Sequence, residues 1–557
     1  MLFNSYEFIF FFLPVVVAGF WVLARVAGRD IAVSWLVCGS FVFYLYAGWK
    51  GVAILTPSII VDYLIASILL RLPEARSQLR TGLFITGIVA NVTFLAYFKY
   101  KNFFLDTANS LFGSHFHLTT IMLPMGISFL TFQKISFLAD VRAGSVDRVR
   151  FLDYLLFTTF FPRSIAGPIV RYQHVVPQLE TILTGELTTH LSVGITLFSF
   201  GFFKKAFVAD QLAPWVSPVF DLGPVMVQDP GLPTLFTSWV AVLAYTFQLY
   251  FDFSGYSDMA LGVARMCGVR LPMNFNSPFK ASSIVDFWAR WHITLTRFLT
   301  ANIYTPLVLA ITRARLARGK RVLTRSSTRA SAVMAIVVVP TLTTMAISGI
   351  WHGAGWQFVV WGGLHGIYLT LNQTWRLVRP RFWPDSVSYL RVMRPAGVVL
   401  TFAAVVVALV FFRARSVSEA LSILYAMLGG HGMVPDDLRV LRQLGVTVPS
   451  SLMHSFLPTM PWIWFAVLFF WVLGLPNSLE ILRRYQPALD FPVGGKQGHL
   501  TQPSPVARGG LGKLRAVFEV GRNGLALGPL MSSLAALLCL LGILMLNRGE
   551  TFIYWNF

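Results

Sequence analysis

ASAVMAIVVVPTLTTMAISGIWHGAGWQFVVWGGLHGIYLTLNQTW, residues Ala330–Trp375, runs for 46 residues without one Asp, Glu, Lys or Arg. As helix at 1.5 Å per residue it would measure roughly 69 Å, more than twice the ~30 Å hydrocarbon core of a bilayer, so it has to cross and come back. Its midpoint falls between His352 and Gly353, inside Ser348-Gly349-Ile350-Trp351-His352-Gly353-Ala354-Gly355-Trp356, where three glycines weaken helix and permit a turn. Counting alone therefore puts His352 at the apex of a hairpin. It leaves open whether that apex reaches the outer surface or stops within the membrane. The stretch is framed by Arg313–Arg329, with seven Lys/Arg and no acid, and by Arg376–Arg394, also basic, so both ends belong on the cytoplasmic side.

The rest of the chain has the same character. Of 557 residues 55% are apolar, 15% aromatic and only 12% charged, and the mean hydropathy is +0.65. That is about half the charge of a soluble domain, which excludes both a soluble globular protein and a disordered chain. The expectation is an all-α polytopic transmembrane helical bundle. The net charge of +21, from 45 Lys+Arg against 24 Asp+Glu, would suggest nucleic acid in a soluble protein. Here the cations cluster between apolar runs, as cytoplasmic loops do, so the lipid bilayer is the expected partner and nucleic acid is not. Cys38, Cys267 and Cys539 lie in or beside apolar stretches without CxxC spacing, which implies neither a disulfide framework nor a zinc site.

Five early runs read as spans: Phe8–Ala24, Ile31–Trp49, Gly51–Leu70, Gly82–Phe98 and Ile121–Ala139. Met1–Glu7 carries no Lys or Arg, unlike the basic start of a cleavable signal, so the first run is expected to remain as a helix. The linkers after the first, third and fifth runs hold eight arginines (Arg25, Arg29, Arg71, Arg76, Arg80, Arg142, Arg148, Arg150). The other linkers hold Lys50, Lys99 and Lys101, which predicts an extracytoplasmic amino terminus. From Phe151 to Ala209 the pattern is broken by Pro162, Arg163, Gly167, Pro168 and Lys204-Lys205, which predicts interrupted or re-entrant helices. Irregular backbone at membrane depth is tolerated only where protein buries it or a wet cavity receives it, so an internal cavity is expected. Leu235–Phe251 leads into the polar Asp252, Ser254, Tyr256, Ser257 and Asp258. Further spans are expected near Pro395–Phe412, Trp462–Leu475 and Pro529–Leu546. Arg413–Pro461 and Pro476–Leu527 read as surface loops, with Pro492–Gly512 mobile. The chain divides as residues 1–150, N-terminal helices; 151–412, the core with the histidine motifs; and 413–557, C-terminal loops and helices.

Among the ten histidines, His115, His117, His174, His190, His431, His454 and His499 fall in predicted loops or at segment ends, where a solvated histidine is the default. His292 lies in Asp286-Phe287-Trp288-Ala289-Arg290-Trp291-His292-Ile293-Thr294-Leu295, which reads as a helix on which Asp286 and Arg290 pair at i,i+4. That pair orients neighbouring groups or anchors the helix at the interface. His352 has the strongest case, because it sits between Trp351 and Trp356 at a glycine-rich break in an uncharged stretch, and polar groups there are functional by default. An apolar wall disfavours the imidazolium, leaving the neutral ring that a general base requires. The competing reading is a packed core histidine donating to a freed carbonyl. His365, 13 residues on, would lie about 220° around a straight helix from His352 and reads as packing. No HExxH, GxSxG or P-loop occurs: Gly509-Gly510-Leu511-Gly512-Lys513 has Ala507 and Leu514 where a P-loop needs glycine and Ser/Thr.

Four stretches carry a family likeness: Met1-Leu2-Phe3-Asn4-Ser5 with the aromatic run behind it, Phe161-Pro162-Arg163-Ser164-Ile165-Ala166-Gly167-Pro168-Ile169-Val170-Arg171-Tyr172, Asn274–Arg297, and Ser348–Ala354. With the closing Phe552–Phe557 they span nearly the whole chain, and it resembles the membrane-bound O-acyltransferase family, in the branch of the bacterial alginate O-acetylases. One departure is Tyr304-Thr305-Pro306-Leu307-Val308-Leu309, which lacks the glycines usual after the first histidine motif.

The resemblance implies a helical funnel through the membrane with His352 at its narrow centre as the catalytic residue and His292 in support. It also implies transfer of an acyl group, acetyl above all, from a cytoplasmic thioester to a hydroxyl outside. No resident cofactor is expected. The cosubstrate is an anionic acyl donor, acetyl-coenzyme A or an acyl carrier protein, and a periplasmic acetyltransferase is an expected partner in a bacterial inner membrane. Asp286, Arg290, Trp351 and Trp356 would orient the histidines. Backbone N–H groups of Gly349, Gly353 and Gly355 would receive the oxyanion, and Arg313, Arg315, Arg318, Lys320 and Arg321 would dock the donor. The acceptor is expected to be an extracytoplasmic polysaccharide such as alginate. The alternatives are a D-alanyl transferase for teichoic acid and a non-enzymatic polysaccharide transporter or export channel.

Overall fold

A computed structural model describes residues 1–119, 121–181, 186–221, 233–322, 330–432, 459–491 and 525–546. Every regular element among them is a helix. Among the described residues seven helical stretches are long and apolar enough to cross a membrane: Glu7–Val26, Arg29–Ala47, Trp49–Arg71, Glu74–Phe112, Leu187–Phe220, Ala330–His352 and Ser386–Arg413. The protein is therefore a multi-pass membrane protein with the expected all-α architecture, and the first four predicted runs are its first four such helices.

Four sequence expectations need correction. The fifth run is only the 16-residue helix Ile127–Arg142, because Pro124 and the left-handed Gly126 (φ 72°) stop helix on its amino side. The Lys204-Lys205 pair does not break its helix. The helical path continues from Leu187 to Phe220, loosened into π geometry at Lys204–Ala209, a bulge that recurs where a side chain needs re-aiming. The apolar run at Leu235 also continues unbroken to Met266, carrying the buried Asp252 and Asp258 inside the helix. Arg413–Pro461 is not wholly loop either: Ser416 accepts the N–H of Glu419 and caps a helix over Val417–Met427. Pro492–Gly512 lies outside the described residues. The break expected between Phe151 and Ala209 is present at residues 160–171, between the helices Phe151–Thr159 and Tyr172–Glu180.

Two compact units result. One comprises Met1–Phe207, Phe253–Asn274 and Pro476–Asn556. Its centre is aromatic: Phe8, Phe12, Phe43 and Phe161 meet at ring-centroid distances of 5.2 to 6.3 Å, and Phe3 stacks on Tyr256 at 4.9 Å. Without a hydrophobic force between helices in lipid, close packing has to hold them, and small residues allow it. Gly194 and Gly201 face Gly262 and Gly255, seven residues apart on each helix. A Cβ at Gly201 would lie 2.4 Å from the Gly255 carbonyl, and one at Gly262 would lie 2.6 Å from that of Gly194. Near this contact Lys204 Nζ meets Asp258 Oδ2 at 2.7 Å and Ser478 Oγ at 3.1 Å, so an ion pair buried in the bundle is itself hydrogen-bonded.

The other unit comprises Val208–Asp252 and Phe275–Leu475, and it holds the uncharged stretch. That stretch is a helical hairpin, as counting required: Ala330–His352 runs one way, residues 353–355 turn, and Trp356–Phe382 returns. The arms touch through bare backbone. A Cβ at Gly349 would sit 2.2 Å from the carbonyl oxygen of Phe358, and one at Gly362 would sit 2.4 Å from that of Met345. Ser386–Arg413, capped by Asp385, which accepts the N–H groups of Val387 and Ser388, packs along the return arm.

Gly349→Ala and Gly362→Ala should each cost about 1 to 3 kcal/mol, because backbone cannot yield as a side chain can. Gly363→Ala, with nothing within 4 Å of the new Cβ, should be neutral or up to about 1 kcal/mol stabilising. Melting temperatures of the purified variants in detergent check the contrast.

Candidate active site

His352 is the last residue of its helix. It is 3% exposed, and three rings enclose it: Trp351 at 4.8 Å, Trp361 at 4.9 Å and Phe412 at 5.2 Å between centroids, all tilted by 67° or more. Gly353 leaves the helix with extended backbone. It has no room for a side chain, since a Cβ there would strike the Phe358 ring, which itself packs on Phe412 at 5.4 Å. The turn is therefore shaped around the histidine by an aromatic wall, where stacking adds to burial.

His292 reaches the same place from another segment. Ser283 accepts the N–H of Asp286 and starts a helix over Ile284–Trp288, but the chain leaves helix before His292, which adopts φ 43° and ψ 52°, and a second helix runs over Ile293–Leu299. The single helix expected across Asp286–Leu295 is thus two, hinged at a left-handed histidine, a conformation that only the surrounding packing can hold. His292 is fully buried and lies 6.3 Å from Trp351, so both histidines border one indole.

The Asp286–Arg290 pair forms as expected, Nε to Oδ1 at 2.8 Å, with both side chains about a third exposed. It acts on backbone. Asp286 also accepts the N–H of Ser282, and Arg290 exchanges hydrogen bonds with Asn276 through Nη1 and its own carbonyl. The pair holds the entry to the hinge. Trp356 stands 54% exposed at the start of the return arm. Gly349 lies within the helix, where its N–H serves the helical ladder, and Gly353 and Gly355 form the extended turn. Arg315 braces its own loop by donating to the carbonyls of Arg321 and Ser331, while Arg313, Arg318, Lys320 and Arg321 are exposed.

Sequence reading missed Trp361, Phe412 and Ser348. Trp361 forms part of the wall around His352. Its signal was its i,i+4 spacing to His365: the two rings pack at 4.9 Å, and His365 Nδ1 accepts the Trp288 indole N–H at 3.3 Å. His365 is a packed, hydrogen-bonded ring that buttresses Trp361. Two buried donors near His352 make no hydrogen bond: the Trp361 Nε1–H and the Ser348 hydroxyl. Each such group forgoes about 1 to 3 kcal/mol. Among the described residues no group of three His, Cys, Asp or Glu side chains could hold a metal ion.

The sequence matches known proteins. The family model of the membrane-bound O-acyltransferases matches residues 81–324. A peptidoglycan O-acetyltransferase of Helicobacter pylori is 36% identical over 464 residues, 78% of this chain and 81% of the relative. Probable alginate O-acetylases of Azotobacter vinelandii and Pseudomonas aeruginosa are 34% and 35% identical, over 81% and 77% of this chain and 83% and 75% of theirs. The chain belongs to the membrane-bound O-acyltransferase family. It is an acyltransferase, and the matched region contains the His292 hinge while His352 lies beyond it. A teichoic acid D-alanyltransferase of Streptococcus thermophilus is more distant, 29% identical over 45% of the chain.

The hinge makes a backbone prediction for this acyltransferase. His292→Val should be less stable than His292→Asn by about 1 to 2 kcal/mol, since a β-branched residue resists positive φ and asparagine accepts it. Thermal unfolding of the two variants side by side measures the difference.

Proposed function

We propose that the chain moves an acetyl group from a thioester donor on the cytoplasmic side to hydroxyl groups of an extracytoplasmic polysaccharide, in a bacterial inner membrane and with its amino terminus outside. The observation that carries this reading is His352, enclosed by Trp351, Trp361 and Phe412 at the turn of a hairpin that is uncharged from Ala330 to Trp375. There the imidazole accepts the proton of an acceptor hydroxyl as the oxygen attacks the thioester carbonyl, and returns it to the departing thiolate. General-base help of this kind contributes typically 10² to 10⁴ in rate. His292, across Trp351, orients the reacting groups.

The relatives that match most of the chain are named for O-acetylation of two different glycans, peptidoglycan and alginate. Their common chemistry, an ester on a glycan hydroxyl, is the part that carries over. D-Alanyl transfer is the weaker reading, its matches being under 30% identical and covering about half the chain. The donor, acetyl-coenzyme A or an acylated carrier protein, is anionic, which suits the exposed Arg313, Arg318, Lys320 and Arg321. A periplasmic acetyltransferase would take the acetyl group onward where the polymer does not itself reach the membrane.

In a His352→Ala strain the polysaccharide should still be exported but lack acetyl esters, as mass spectrometry of the released polymer would show. Export lost together with the esters would point to transport instead. Neutralising Arg313, Arg318, Lys320 and Arg321 together should raise the apparent KM for the donor several-fold at low salt, with the difference shrinking as salt screens it. A KM unchanged at every ionic strength would leave those residues with a topological role alone.

A further inference from the structure

We propose that the Trp361 indole N–H and the Ser348 hydroxyl are the donors that receive the thioester carbonyl oxygen as it becomes an oxyanion, which makes both catalytic residues. The inference rests on His352 being the base, as proposed above. Ser348 lies one helical turn before His352 on the same face, is fully buried, and its Oγ has no hydrogen-bond partner. The contrast with Thr344, one turn earlier, is direct: that hydroxyl donates to the Pro340 carbonyl at 2.7 Å, the usual outlet for a helical hydroxyl.

Trp361 is 4% exposed and its Nε1 is buried without a partner. Yet the ring is firmly held. It meets His352 at 4.9 Å and 85°, Phe412 at 5.1 Å, His365 at 4.9 Å and Trp288 at 6.0 Å, and His365 is itself fixed by the Trp288 hydrogen bond. Buried polar groups in folded proteins are nearly always paired, and an exception needs a cause. Two unpaired donors beside one imidazole, on elements fixed by backbone contact, are what a site preorganised for developing negative charge requires.

The step balances without further reagents. The acceptor O–H proton passes to His352 while its oxygen bonds the carbonyl carbon, and the carbonyl electron pair moves onto oxygen, where both donors meet it. The pair then returns to re-form the carbonyl, the carbon–sulfur bond breaks, and the thiolate takes the proton from His352, giving ester and free thiol.

The test uses full-length variants expressed at equal level in cells, with the initial rate of radiolabelled acetate incorporation into alkali-labile esters of the extracellular glycan as the readout. Ser348→Ala and Trp361→Phe should each lower that rate about 10²-fold, and Ser348→Thr, which keeps the hydroxyl, should retain most of it. A purified Ser348→Ala variant should melt at or above the parent temperature, because it loses a buried donor that had no partner; a merely structural serine would lower both readings, and that result overturns its assignment. A parental rate in either variant removes that residue from the proposal. His352→Ala separates the two readings. If it is inactive while Ser348→Ala and Trp361→Phe incorporate at the parental rate, this inference fails and the base stands. If it keeps the parental rate, the base itself fails.

Discussion

The hairpin depends on backbone touching backbone. Between apolar helices in lipid there is no gain from expelling water, so contact has to come from close packing, and every backbone polar group must be satisfied within its own segment. Gly349 opposite Phe358, and Gly362 opposite Met345, allow the two arms to come together where any side chain would hold them apart. With the arms that close, three residues complete the turn, and the last helical residue is His352. The placement of the imidazole thus follows from the close approach that these two glycines allow.

Much of this was readable in the residues. Forty-six uncharged positions cannot lie in one crossing, and halving them placed the turn at His352 and Gly353, where the helix does end. What escaped was geometry that depends on distant partners. The left-handed backbone of His292 is invisible in Asp286–Leu295, because the pattern is a good helix and only the packing of Trp288, Trp291 and Ile293 overrides it. Lys204 and Lys205 looked like a break because two lysines are costly in an apolar helix. Asp258 and Ser478, 54 and 274 residues away, remove much of that cost for Lys204. Trp361 escaped because it stands nine positions from His352 in sequence, and only the turn brings it back to the ring.

The polar groups of this bundle answer burial in different ways, and the differences separate scaffold from chemistry. In the first unit Asp62 accepts from Asn91 and Tyr154, at 2.9 Å each, and Lys204, Asp258 and Ser478 bind one another. Groups so arranged fix helices in register, and removing one member strands the others. Arg163 finds an aromatic face, its guanidinium carbon 5.2 Å from the Phe157 ring.

At the hairpin turn the logic differs. Ser348 and Trp361 are as deeply buried as the polar groups of those clusters, but the Ser348 hydroxyl and the Trp361 indole N–H make no hydrogen bond. A scaffold built only for stability would have alanine and phenylalanine there, at a gain rather than a cost. Keeping donors where the fold gives them no acceptor makes sense when the acceptor arrives with the substrate, and the same enclosure that makes them costly in the resting protein strengthens their hold on a negative oxygen. The aromatic wall acts on both donors alike: a dipole enclosed by rings, away from water, has more effect on a nearby charge than one in solvent.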